Sequence, residues 1–121
     1  MMETDDIAEM RHELARADSA LISLERLLAD YHVSKYGRAR ELAGAAKASY
    51  DRAIVLAQNI RLSRRATFEH LDSRDEAKSR LVLQVEQLTV GDVTGVTAAV
   101  RDTILNMKNA IKGIRFSLGL R

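Results

Sequence analysis

Residues 5–32 read DDIAEMRHELARADSALISLERLLADYH, and the spacing within this stretch decides the fold. Ile7, Met10, Leu14, Ala17, Leu21, Leu24, Leu28 and Tyr31 follow one another at alternating intervals of three and four residues. On a helix of about 3.6 residues per turn, that alternation keeps all eight side chains on one stripe, as in a rod that buries a seam against a neighbour. Thr4 or Asp5 can cap the start, and Asp5, Asp6 and Glu9 stand where the positive end of the helix dipole favours a carboxylate. The pattern predicts a first helix over Asp5–His32, about 42 Å long at ~1.5 Å per residue.

The same spacing recurs downstream. Ser34 can cap a second helix, predicted over Lys35–Leu71, with its stripe on Tyr36, Ala39, Ala43, Ala46, Tyr50, Ala53, Ala57 and Ile60. Alanine dominates this stripe, so a neighbouring helix can approach to the short end of the usual ~8–10 Å range. Gly37 is a place for a late start or a kink. Ser73-Arg74-Asp75-Glu76 reads as a capping box opening a third helix on Ala77, Leu81, Val85 and Leu88, closed by Gly91. A fourth helix carries Val93, Val96, Val100, Ile104, Met107, Ile111, Ile114 and Leu118 and is predicted to end near Gly113 or Arg115.

The 121 residues contain no proline and six glycines. The strongest helix breaker is therefore absent and the next is rare. Together these features predict one all-α domain over residues 1–121, an antiparallel four-helix bundle with a long hairpin of helices 1 and 2 and coiled-coil-like packing. Helices 3 and 4 could instead run end to end across Gly91. The polar and glycine-rich Thr89–Gly95 favours a reversal.

Composition removes several function classes. Cysteine is absent, so neither disulfides nor thiolate metal sites contribute, which fits a cytoplasmic location. The longest apolar run, Ala53–Ala57, is far shorter than the ~20 residues of a spanning helix. The start Met-Met-Glu-Thr-Asp-Asp lacks the basic and then apolar order of a secretory signal, so no export by that route is expected.

Charge alternates along the chain. Residues 1–33 carry eight acidic and three basic side chains, for a net charge of −5, and residues 34–71 carry three and eight, for +5. Residues 72–92 stand at −2 and residues 93–121 at +4. Oppositely charged successive helices are what attracting antiparallel neighbours carry. The same numbers allow a nucleic-acid contact on basic faces of helices 2 and 4, built from Arg61, Arg64, Arg65, Lys108, Lys112 and Arg115. Five aromatic residues with no Trp offer little to stack on bases, and no helix-turn-helix or zinc-finger spacing is present.

Catalytic and metal signatures are sparse. Glu9 and His12 form the Glu-x-x-His element that di-iron bundles use twice, but it occurs once, on the outer side of the first stripe. Arg65-Ala66-Thr67-Phe68-Glu69-His70 resembles the Arg-x4–6-His signature of HEPN helical ribonucleases. The resemblance covers two residues, with Ala66 where that family usually has a polar one. It implies a dimer in which Arg65 and His70 cleave RNA by general acid–base chemistry. No phosphate-binding glycine loop, nucleophile elbow or His-Glu-x-x-His motif occurs. The expectation is no cofactor, no metal and no enzymatic activity.

Ile22, Leu27, Leu56, Val82, Leu83, Leu105, Phe116 and Leu120 fall off the four stripes. Apolar side chains beyond the needs of a core mark an interface. Ile22, Leu27, Val82, Leu83, Phe116, Leu118 and Leu120 are the candidate interface. The chain is accordingly expected to be a helical interaction or assembly protein that forms homo-oligomers and docks a protein partner.

Overall fold

The computed structural model describes residues 2–64, 76–89 and 94–117, and the side chains of 5–60, 77–89 and 94–116. Within these residues the chain forms four α-helices and no strand: α1 (Met2–Leu28), α2 (Tyr36–Arg64), α3 (Glu76–Glu86) and α4 (Thr94–Ser117). Short 3₁₀ turns at Val33–Lys35 and Gln87–Thr89 lead into α2 and out of α3.

Side-chain contacts give the direction of each helix. Arg52 reaches from α2 to Glu9 of α1 at 2.9 Å, near the end of the bundle far from the corner that joins them. Lys78, at the start of α3, pairs with Asp51 in the middle of α2. The Tyr31 hydroxyl, at the α1–α2 corner, donates to the Leu88 carbonyl just past α3. Thr103 of α4 donates to Gln84 of α3 at 2.7 Å, and Arg101 of α4 donates to the Leu28 carbonyl at the end of α1. Every consecutive pair is therefore antiparallel, and helices 3 and 4 reverse rather than run end to end. α1 packs on α2 and α4, and α3 packs on the same two helices, so α1/α3 and α2/α4 are the diagonals of a four-cornered ring.

The stripes read from the sequence are the core. Met10, Leu14, Ala17, Leu21, Leu24 and Leu28 of α1 are buried, with Ala39 through Ile60 of the α2 stripe, Ala77 through Leu88 at α3, and Val100, Ile104, Met107, Ile111 and Ile114 of α4. Each helix touches two neighbours, so the buried faces are wider than one seam. Ala20, Leu42, Ser49, Ile54, Leu56, Thr103 and Ala110 are buried as well. α3 has 11 residues and begins beside the middle of α2, so it covers only the half of the α1–α2 hairpin nearest the corner. That hairpin is the long element the sequence predicts.

Four boundaries differ from the sequence reading. α1 already runs from Met2, so Thr4 and Asp5 lie inside the helix and do not cap its start. α1 stops at Leu28, not His32: the Ala29 amide bonds the Arg26 carbonyl in a tightened last turn, and Tyr31 turns toward Leu88. His32, in extended conformation, occupies the position before the 3₁₀ turn where Ser34 was expected, and the Lys35 amide bonds its carbonyl at 2.8 Å. α4 continues past Gly113 to Ser117, held by the buried Ile111 and Ile114 on either side of that glycine. The predicted end of helix 2 at Leu71 and the capping serine Ser73 lie outside the described residues.

Candidate functional site

With the core stripes placed, the outer faces can be read. At ~100° per residue, a side chain two positions from a core residue points away from the core. Leu83 stands two residues after the buried Leu81, and Leu105 two before the buried Met107. They are 60% and 55% exposed, and Phe116, two after Ile114, is 86% exposed. Val33 at the corner and Val55 on α2 are the other large apolar side chains left in water among the described residues.

The candidate interface residues divide into separate groups. Leu27 and Val82 are half-buried and pack against the core, which accounts for them without a partner. Ile22 is half-buried, Leu83 and Phe116 are exposed, and Leu118 and Leu120 lie outside the described residues. Because α1 and α3 are diagonal, Ile22 and Leu27 do not share one side of the bundle with Val82 and Leu83. Val55 was missed because it sits between the stripe residues Ala53 and Ala57. A position two off both is the helical-wheel signal that would have found it.

The basic candidates also separate. Lys108 and Arg101 lie on the flank of α4 that faces α1, since Lys108 approaches Glu25 at 3.9 Å and Arg101 bonds the Leu28 carbonyl. Lys112 and Arg115, four and seven residues after Lys108, continue that flank. Arg61 and Arg64 belong to the last turns of α2, diagonal to α4, and Arg65 lies outside the described residues. The described turns of α2 and α4 that carry these residues are therefore not adjacent in the ring.

Two polar clusters tie the ring together. Asp51 receives Lys78 from α3 and Lys47 from its own helix, the latter at 3.0 Å. Burial opposes ionisation of Asp51, but the hydrogen bonds and charges of the two lysines outweigh it and hold the carboxyl below its ordinary value. Burial, with Tyr36 nearby, raises the Tyr31 phenol above its ordinary value, which keeps it protonated as the donor to Leu88.

Glu9 and His12 are both exposed, and Glu9 is engaged by Arg52. Among the described residues no group of three His, Cys, Asp or Glu side chains is placed to hold a metal. The Arg65–His70 pair of the ribonuclease-like signature lies outside the described residues. Among the described residues no helix is long and apolar enough to cross a membrane. Compared with protein-family models, with curated proteins and with solved structures, the chain gives no match.

Proposed function

We propose that this chain is a non-enzymatic helical interaction and assembly protein, of adaptor or chaperone type, which self-associates and docks a protein partner through the outer faces of its helices. The observation that carries this reading is the exposure of Leu83, Leu105 and Phe116 around a core that closes without them. A large apolar side chain left in water adds nothing to the fold, whereas burial in an interface returns about 1.5–3 kcal/mol. Leu83 is the exposed large apolar side chain of α3, and self-association centres there. Light scattering at micromolar concentration is expected to report a dimer or larger for the natural chain and a monomer for Leu83→Glu. A 13.5 kDa monomer at high concentration would remove self-association from this reading.

A second reading, a nucleic-acid-binding accessory protein, draws on the alignment of Arg101, Lys108, Lys112 and Arg115 along one flank of α4. Each phosphate neutralised would add about −0.9 to the slope of log affinity against log salt on duplex DNA. Charge reversal at Lys108, Lys112 and Arg115 would then weaken binding to all sequences alike. Absence of binding to DNA and RNA at about 50 mM salt would end it.

A further inference from the structure

One side of the ring combines apolar side chains with a surplus of cations. Glu25 of α1 lies opposite Lys108 of α4, and the two helices are antiparallel. One turn back along α1 from Glu25, Ile22 comes level with Lys112. Leu105 and Phe116 stand on the outer face of α4 on either side of that level, about 16 Å apart along the axis at ~1.5 Å per residue. Ile22, half-buried on the α4 flank of α1, thus sits between two exposed apolar side chains, and the three form a line along the α1/α4 side. Around it α4 contributes Arg101, Lys108, Lys112 and Arg115, and α1 contributes Arg11 and Arg26, against the acidic Asp18 and Glu25.

We propose that the α1/α4 face is the docking site for an amphipathic helix of an acidic partner protein. Such a helix lays its apolar stripe along Leu105, Ile22 and Phe116 and sets its carboxylates against the flanking cations. The inference rests on the reading of the chain as a protein-docking module and adds the surface and the chemistry of the partner. The row is about as long as the rise over eleven residues, so a docked helix would meet it with apolar anchors near i, i+4 or i+7, and i+11, an extended form of the spacing by which a helix binds a groove. The long arginine and lysine side chains extend the apolar floor with their stems while directing charge outward. A second copy is a poor occupant of this face, because it would bring one cationic surface against another. Nucleic acid would use the cations and leave Phe116 without a role.

The probe is a fluorescein-labelled synthetic helix of about three heptads, with leucine at the a and d positions and glutamate elsewhere. Its comparators are the same peptide with serine for leucine, the same peptide with lysine for glutamate, a DNA duplex, and phosphatidylglycerol vesicles. Anisotropy is expected to show binding of the acidic leucine peptide, and binding weaker by about tenfold or more when its leucines become serine. The lysine peptide should not bind. On the protein, Leu105→Glu with Phe116→Glu, and separately Lys112→Glu, should each weaken the complex about tenfold, while Val55→Glu on α2 leaves it unchanged. Amide shift changes on adding the peptide to the natural chain should map to α1 and α4, which reads the site without any substitution.

Failure of the acidic peptide to bind, indifference to the α4 substitutions, shifts centred on α2 or α3, or tighter binding of the duplex or the vesicles would each overturn the proposal. Light scattering on the same samples separates this outcome from the broader reading. A chain that self-associates and ignores the peptide retains the reading and loses this face.

Discussion

α1 makes two long seams, and they differ in the balance of their materials. On the flank toward α2 it carries Ala17 and Ala20, and α2 turns Ala46, Ser49 and Ala53 toward it, all buried. Small side chains let two helix backbones approach closely, so this seam is held mainly by dispersion, with one cation, Arg52, crossing it to Glu9 near the end far from the corner. On the flank toward α4 the seam is crossed by long cations, Arg101 to the Leu28 carbonyl and Lys108 to Glu25. Such partly exposed polar contacts contribute about 0–1 kcal/mol each. The first seam secures the fold, and the second leaves a charged, apolar-studded surface available. A helix can thus keep its structural and its interactive duties on separate flanks.

The largest expected effect comes from forcing the tight seam apart. Ala46→Leu puts a large side chain at a fully buried position of the α2 stripe and should cost about 1–3 kcal/mol in a denaturant titration. A loss no greater than that of a surface substitution would show that the alanine seam is not close-packed. Asp51 bears on the third seam, α2 with α3. Its carboxyl is held below the ordinary value, so its contribution is present above the unfolded-state carboxylate pKa and fades as pH falls through the lower folded-state value. Asp51→Asn should therefore be less stable than the natural chain near neutral pH, with the gap closing in acid. A gap independent of pH would refute the pairing with Lys78 and Lys47.

Smaller changes sharpen the contrast. Tyr31→Phe removes the bond from the corner to the Leu88 carbonyl and should cost about 0.5–1.5 kcal/mol. Gly44 lies exposed in the interior of α2, and a Cβ added there meets nothing within 4 Å. Gly44→Ala should accordingly raise stability by about 0.5–1 kcal/mol, and a loss would mean that the α2 backbone is not regular helix there. The smallest effect belongs to the polar seam: Lys108→Met should shift stability by less than about 0.5 kcal/mol. A loss comparable to that of Ala46→Leu would erase the distinction between the seams.

The helical spacing made the core legible before any coordinates, because burial in a bundle repeats with the helix period. Every residue of the α2 stripe from Ala39 to Ile60 is buried as read. Chain reversals were harder, because they turn on single contacts with distant residues. Tyr31 continues the apolar stripe in sequence, yet it leaves the helix to reach Leu88, 57 residues away. The candidate interface was legible only in part. A residue off the stripe is buried when it faces a second neighbour and exposed when it faces none, and one sequence does not say where the neighbours stand. Leu56 and Leu105 looked alike in the sequence, and the ring of helices buries the first and leaves the second in water.

The central claim is that the outer apolar side chains serve association and not the fold, and the dependence of melting temperature on protein concentration tests it most directly. Association that binds only the folded chain raises stability by mass action. The natural chain should therefore melt at higher temperature as its concentration rises, while Leu83→Glu should melt at one temperature throughout, close to that of the dilute natural chain. A natural chain whose melting temperature ignores concentration, or a variant that melts far below it when both are dilute, would contradict the account.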